Sequence, residues 1–193
     1  MINDVRDKAL KDNIPIIKDE GLSFLLKIIK ENDYSEILEL GTAVGYSAMQ
    51  MANLDPQIHV DTIEKNDEMY EKAIRNIKDN GFDKQVCVFH MPIEYFKTKK
   101  KYDLIFVDAA KAQYGKYLEM FIDNLKDNGK MFFDNMVFHG LIYKIEDIES
   151  KSLKNLVKKI VSFREMVHND SRFDIIVKDD IGDGILILSR RDK

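Results

Sequence analysis

Tryptophan is absent from the 193 residues, cysteine occurs once, proline three times and glycine nine times. A lone cysteine excludes an internal disulfide framework, so packing has to hold the chain together. With so little proline there is no proline-rich linker, and no internal repeat divides the sequence. Nowhere do the roughly 18 apolar residues of a membrane-spanning helix run together. The segment Met1-Ile2-Asn3-Asp4-Val5-Arg6-Asp7-Lys8 mixes both signs of charge and lacks the apolar stretch of a signal peptide. Neither sign dominates: 30 Lys and Arg against 34 Asp and Glu leave a formal charge of -4, which is no general nucleic-acid footprint. These absences together set the expectation of a soluble, cytoplasmic protein.

What is present suffices for a core. At 193 residues and 45% hydrophobic content the chain reads as one globular domain over 1–193, with residues 1–33 as an N-terminal helical extension. Cys87, inside the apolar run Val86-Cys87-Val88-Phe89, reads as a buried strand residue. Lys97, Lys99, Lys100 and Lys101 form the densest basic cluster, a solvated turn on composition alone or a local patch for RNA.

Strand-length apolar runs alternate with helical segments, the pattern of parallel strands joined by crossover helices. Strands are expected at 36–40, 59–63, 86–89, 104–107, 130–133, 173–177 and 185–188, and helices near 47–53, 67–80, 114–125 and 152–169. The class is α/β: an open, doubly wound, Rossmann-like sheet of seven mostly parallel strands. Asn80-Gly81 and Asn128-Gly129 read as helix stops. The polar link Lys178-Asp179-Asp180-Ile181-Gly182-Asp183-Gly184 is of hairpin type and predicts one antiparallel strand near an edge. Before the first strand, Leu22, Leu25, Leu26 and Ile29 mark an amphipathic helix whose stripe serves core packing in preference to dimerisation.

Three segments carry chemistry. Ile37-Leu38-Glu39-Leu40-Gly41-Thr42-Ala43-Val44-Gly45-Tyr46-Ser47 is a strand running through a glycine turn into a helix, the form of a cofactor loop. Its spacing departs from the dinucleotide fingerprint G-x-G-x-x-G. Glu64 closes the second strand about 20 residues beyond the turn, where an acid binds the hydroxyls of a ribose; alone it would read as a helix N-terminal acid. Then Asp108-Ala109-Ala110-Lys111 and Asp134-Asn135 fall at the ends of the fourth and fifth strands, so their side chains converge on one crevice. Either acid alone reads as a helix cap. The pair, with Asn135 and Lys111 beside it, reads as a hard-oxygen site suited to Mg²⁺.

On these segments, together with Tyr114, Met136-Val137-Phe138-His139-Gly140 and Asp183-Gly184, the chain resembles the cation-dependent class I O-methyltransferases that include the catechol and caffeoyl-coenzyme A enzymes. The likeness covers nearly the whole length. It implies that Asp108, Asp134 and Asn135 bind the metal. It implies also that Glu39, Gly41, Thr42, Gly45, Ser47, Glu64, Asp108 and Tyr114 serve S-adenosylmethionine, and that Lys111, with Asp108, is catalytic as proton acceptor. Within the family the chain looks most similar to small bacterial members such as the tRNA 5-hydroxyuridine methyltransferases. Family members are commonly dimers, which implies a homodimer. Two departures stand out: Met91-Pro92 replaces a small-acidic pair after the third strand, and Leu141 to Lys151 is short, leaving an open rim that suits a bulky substrate.

The expected reaction is methylation of one of two adjacent oxygens that chelate a divalent cation: tRNA 5-hydroxyuridine first, a small catechol-like diol second. More remote alternatives are an NAD-binding oxidoreductase and a non-catalytic RNA-binding module. The first lacks its fingerprint and the second leaves Asp108 and Asp134 unexplained.

Overall fold

Seven strands form one sheet in the order β3-β2-β1-β4-β5-β7-β6. They are β1 (Glu36–Leu40), β2 (His59–Glu64), β3 (Val86–His90), β4 (Tyr102–Val107), β5 (Leu125–Phe133), β6 (Phe173–Lys178) and β7 (Ile185–Arg190). The computed structural model describes residues 1–191. Asp192 and Lys193, the last two residues of the unit expected over 1–193, lie outside the described residues. Strands β1 to β5 pair in parallel, and β7 runs antiparallel to both β5 and β6. The short hairpin link before β7 forces that reversal, because a parallel return would need a crossover.

Helices cover both faces, as the α/β pattern requires. On one face α1 (Ile2–Lys11), α2 (Asp19–Glu31), α3 (Tyr46–Ala52) and α4 (Asp67–Asp79) bury Ala9, Leu25, Met49 and Ile77 against Ile37, Val60, Phe106 and Phe132 of the strands. On the other, α5 (Tyr114–Phe121) and α6 (Lys151–His168) bury Leu118, Phe121, Ile160 and Phe163 against Leu38, Ile105, Met131 and Phe133. Each of these side chains larger than Ala9 contributes about 1.5–3 kcal/mol on burial. The α2 stripe therefore packs inward, as expected from Leu22, Leu25 and Ile29.

Local chemistry sets the helix ends. The Asn66 side chain accepts from the Met69 amide to start α4, and Gly81, at φ 79°, ends it. Asn128-Gly129 behaves differently from its expected role. Helix α5 stops at Phe121, a 3₁₀ turn follows, and Gly129 lies inside β5, where the pairing with β4 shifts register between Tyr102 and Leu104. A Cβ at Gly129 would sit 2.9 Å from the Asp103 carbonyl oxygen, so close strand approach is the reason for this glycine.

Cys87 is exposed, against expectation. It lies on β3, an edge strand, and the connection from β3 to β4 holds only the three-residue 3₁₀ turn Ile93–Tyr95, with no α-helix to cover it. Among the described residues no helix is long and apolar enough to cross a membrane.

Candidate active site

Strand register builds the site. Leu40 pairs with Ile63 on one side and Val107 on the other, and Val107 pairs with Phe133. The next residue on each strand, in sheet order Glu64, Gly41, Asp108, Asp134, therefore stands in a row at the carboxyl edge, at about 4.8 Å per strand. Strand order reverses between β1 and β4, the position at which open α/β sheets bind ligands. A cleft of about 1040 Å³ opens there.

The glycine turn makes the left half. Gly41, at φ 105°, would carry a Cβ only 2.5 Å from the Asp108 carbonyl oxygen, so no other residue lets β1 turn this close to β4. Thr42 bonds the Thr62 hydroxyl at 2.7 Å, and the Ala43 amide donates to Glu64 Oε2 at 2.9 Å. Glu64 Oε1 accepts from the Asn66 amide at 2.8 Å. Glu64 thus joins the turn to the start of α4 and still lines the cleft with Gly41, Thr42 and Ser47.

Three residues expected to touch the cofactor stand behind that wall. Glu39 is 0% exposed beneath the loop and accepts from the Ser47 and Thr62 hydroxyls. The pleat of β1 turns it toward α3, away from the cleft. Burial pushes its carboxyl up to about 8, partly offset by those two hydrogen bonds. Gly45, at φ 81°, forms the N-cap of α3 against Ile77 and is a turn residue. Tyr114 is buried between Phe133 and Phe163, its hydroxyl donating to the Asp134 carbonyl at 3.0 Å.

The right half is acidic. Burial raises the carboxyl of Asp108 and Lys111 draws it back; burial and the neighbouring Asp108 raise Asp134, against its bond from the Asn135 amide. Asp134 is 2% exposed, just behind Asn135, which lines the cleft with Asp108 and Lys111. Lys111 closes no ion pair with Asp108 among the described residues; its Nζ lies 5.8 Å from the Phe138 ring centroid. The loop after β5 is strained, with positive φ at Asn135 (59°), Phe138 (47°), His139 (56°) and Gly140 (79°).

Part of the wall comes from segments outside the three that carry chemistry in the sequence. The segment Ile14-Pro15-Ile16-Ile17-Lys18 between α1 and α2 lines the cleft, as do Phe138 and His139. Asp183, of the Asp183-Gly184 pair, is 4% exposed and accepts from the His139 amide of this loop. Pro15 inside the apolar run Ile14-Pro15-Ile16-Ile17 is the signal in the sequence for a lining segment; the positive φ of Asn13 appears only in the structure. The basic cluster lies elsewhere: Lys97 to Lys101 precede β4, so a strand of about 20 Å separates them from the cleft. Lys100 is spent on Glu36 and Asp61 at 2.8 and 2.9 Å.

The O-methyltransferase family model matches residues 2–191. The chain belongs to that family. It is an S-adenosylmethionine-dependent O-methyltransferase, which sets aside the dehydrogenase and the non-catalytic RNA-binding module. It is 30% identical to the caffeoyl-CoA O-methyltransferase of Medicago sativa over 184 residues, 89% of this chain and 73% of that one. A candidate caffeoyl-CoA O-methyltransferase from Staphylococcus aureus superposes with TM-score 0.92 at 32% identity, covering 98% of this chain and 92% of that one. The Bacillus cereus O-methyltransferase solved with SAH shares the fold at TM-score 0.82 and 22% identity, over 98% and 90% of the two chains.

Proposed function

We propose that this O-methyltransferase carries the methyl group of S-adenosylmethionine to one of two adjacent oxygens on a planar acceptor, with a divalent cation such as Mg²⁺ on Asp108, Asp134 and Asn135. The observation that carries this reading is the row at the sheet edge: a ribose-type acid and a glycine turn stand directly beside a pair of carboxylates. The donor set fits a hard cation. Burial raises both carboxyls and Asp108 adds to the rise at Asp134, while no donor side chain satisfies Asp108 among the described residues. The set is two carboxylates and one amide, which leaves positions for water or acceptor; among the described residues no group of three His, Cys, Asp or Glu side chains is placed to hold a metal. When bound, the cation would orient adjacent oxygens and acidify the accepting hydroxyl.

The chain's own residues do the rest. Glu64 anchors the ribose hydroxyls, the glycine turn admits the donor, and Lys111 Nζ takes the acceptor proton or balances the oxyanion. Ile14, Ile17 and Phe138 keep water from the reacting atoms.

The acceptor we favour is 5-hydroxyuridine in the tRNA anticodon, giving 5-methoxyuridine, because the short Leu141–Lys151 segment, two 3₁₀ turns ahead of α6, suits a bulky substrate. A small catechol-like diol is the second reading, favoured by the caffeoyl-CoA relatives. The reading extends to a cytoplasmic homodimer. Incubation with labelled S-adenosylmethionine and Mg²⁺, offering catechols or tRNA carrying 5-hydroxyuridine, tests it. Label on the uridine supports the first acceptor, label on catechol alone transfers the assignment to the second, and undiminished labelling in excess EDTA removes the cation.

A further inference from the structure

We propose that Asp183 is a positioning residue that decides which end of the Asn135 carboxamide faces the cleft. The inference rests on reading Asn135 as an oxygen donor on the acceptor side. A carboxamide has an accepting oxygen and a donating nitrogen of nearly the same shape, so its partners alone choose its orientation. Asn135 Nδ2 lies 3.4 Å from Asp183 Oδ2. An ionised carboxylate only accepts, so Asp183 takes the nitrogen and turns Oδ1 of Asn135 the other way, on a residue that lines the cleft.

Asp183 is itself held. Its Oδ1 accepts from the His139 amide at 2.7 Å and from Lys18 Nζ at 3.4 Å, with His139 Nδ1 at 3.5 Å. One buried carboxylate therefore gathers the β6–β7 link, the strained loop after β5 and the N-terminal segment over the cleft. The path of the loop has separate support. The Val137 amide donates to the Asp183 carbonyl at 2.8 Å, the Met136 amide to the Gly184 carbonyl at 2.9 Å, and Arg164 donates to the Met136 carbonyl at 3.0 Å. A change confined to the Asp183 side chain leaves those bonds in place and removes the choice of amide orientation.

Asp183→Asn tests this, since an amide of the same shape can pair with Asn135 in either sense. In the full chain we expect kcat to fall about 10- to 100-fold, the usual effect of losing a partner that orients a ligand side chain, with S-adenosylhomocysteine affinity within about twofold. In the Asn135→Ala background the same substitution should have no further effect. An equal loss in both backgrounds overturns the positioning role and leaves the reading of Asn135 intact; a harmless Asn135→Ala overturns both. As a check independent of the folding of one variant, Asp183→Glu remains acceptor-only and should retain more turnover than Asp183→Asn. The reverse order counts against the proposal.

Discussion

The two halves of the cleft are built in opposite ways. The donor half comes from one stretch of chain, Glu39 to Ser47, closed by Thr62 and Glu64 on the adjacent strand, and its hydrogen bonds are short and internal. The acceptor half gathers Asp108, the Asp134-Asn135 pair, Asp183 and Lys18 from four places in the chain, around a loop with positive φ at four residues. A ligand present in every cycle is served by a rigid local motif. A site that sets acceptor identity draws on remote segments whose strain the surrounding bonds must hold.

If the halves are separable, variants of one should leave the other's readout unmoved. The largest effect belongs to Asp134→Ala: divalent-cation-dependent turnover should vanish while S-adenosylhomocysteine binding, followed by calorimetry, stays within a few-fold. Comparable loss of both would merge the two halves. Lys111→Ala should lower kcat by about 10²-fold or more, again with donor affinity unchanged, and an unaltered single-turnover rate would remove Lys111 from proton transfer.

A third effect belongs to the donor half and is read in stability. Glu39 is raised from 4.5 to about 8, so between those values the folded chain holds a proton that the unfolded chain has lost. Stability from this group is therefore greatest below about 4.5, declines as pH rises to about 8, and is flat above. Glu39→Gln has no such proton. The stability of the native chain relative to Glu39→Gln, from urea unfolding at several pH values, should fall across that window. A constant difference would mean that Glu39 is ionised in its buried position.

Much of this was legible in the sequence, and particular residues show why. All seven strands and their alternation with helices follow from apolar runs whose period is local, and the reversal of β7 follows from the short link at Lys178–Gly184. Gly41 and Glu64 were readable because a tight turn and a strand-end acid are contiguous features. Cys87 was misread because its neighbours resemble those of a central strand, and only the sheet order makes β3 an edge. Glu39 and Tyr114 were assigned to the cofactor by motif position, whereas pleat and helix rotation point both inward.

Sequence by itself thus determined the fold class, the strand count and the identities of the residues at the strand ends, since those depend on periodicity and local backbone chemistry. Tertiary structure alone decided that Asp183 reaches the loop after β5 and Lys18 reaches Asp183, that residues 14–18 wall the cleft, and that the basic cluster faces away. Contacts across 44 positions of chain, as between His139 and Asp183, or 165, as between Lys18 and Asp183, depend on register and crossover geometry, which leave no local periodic trace.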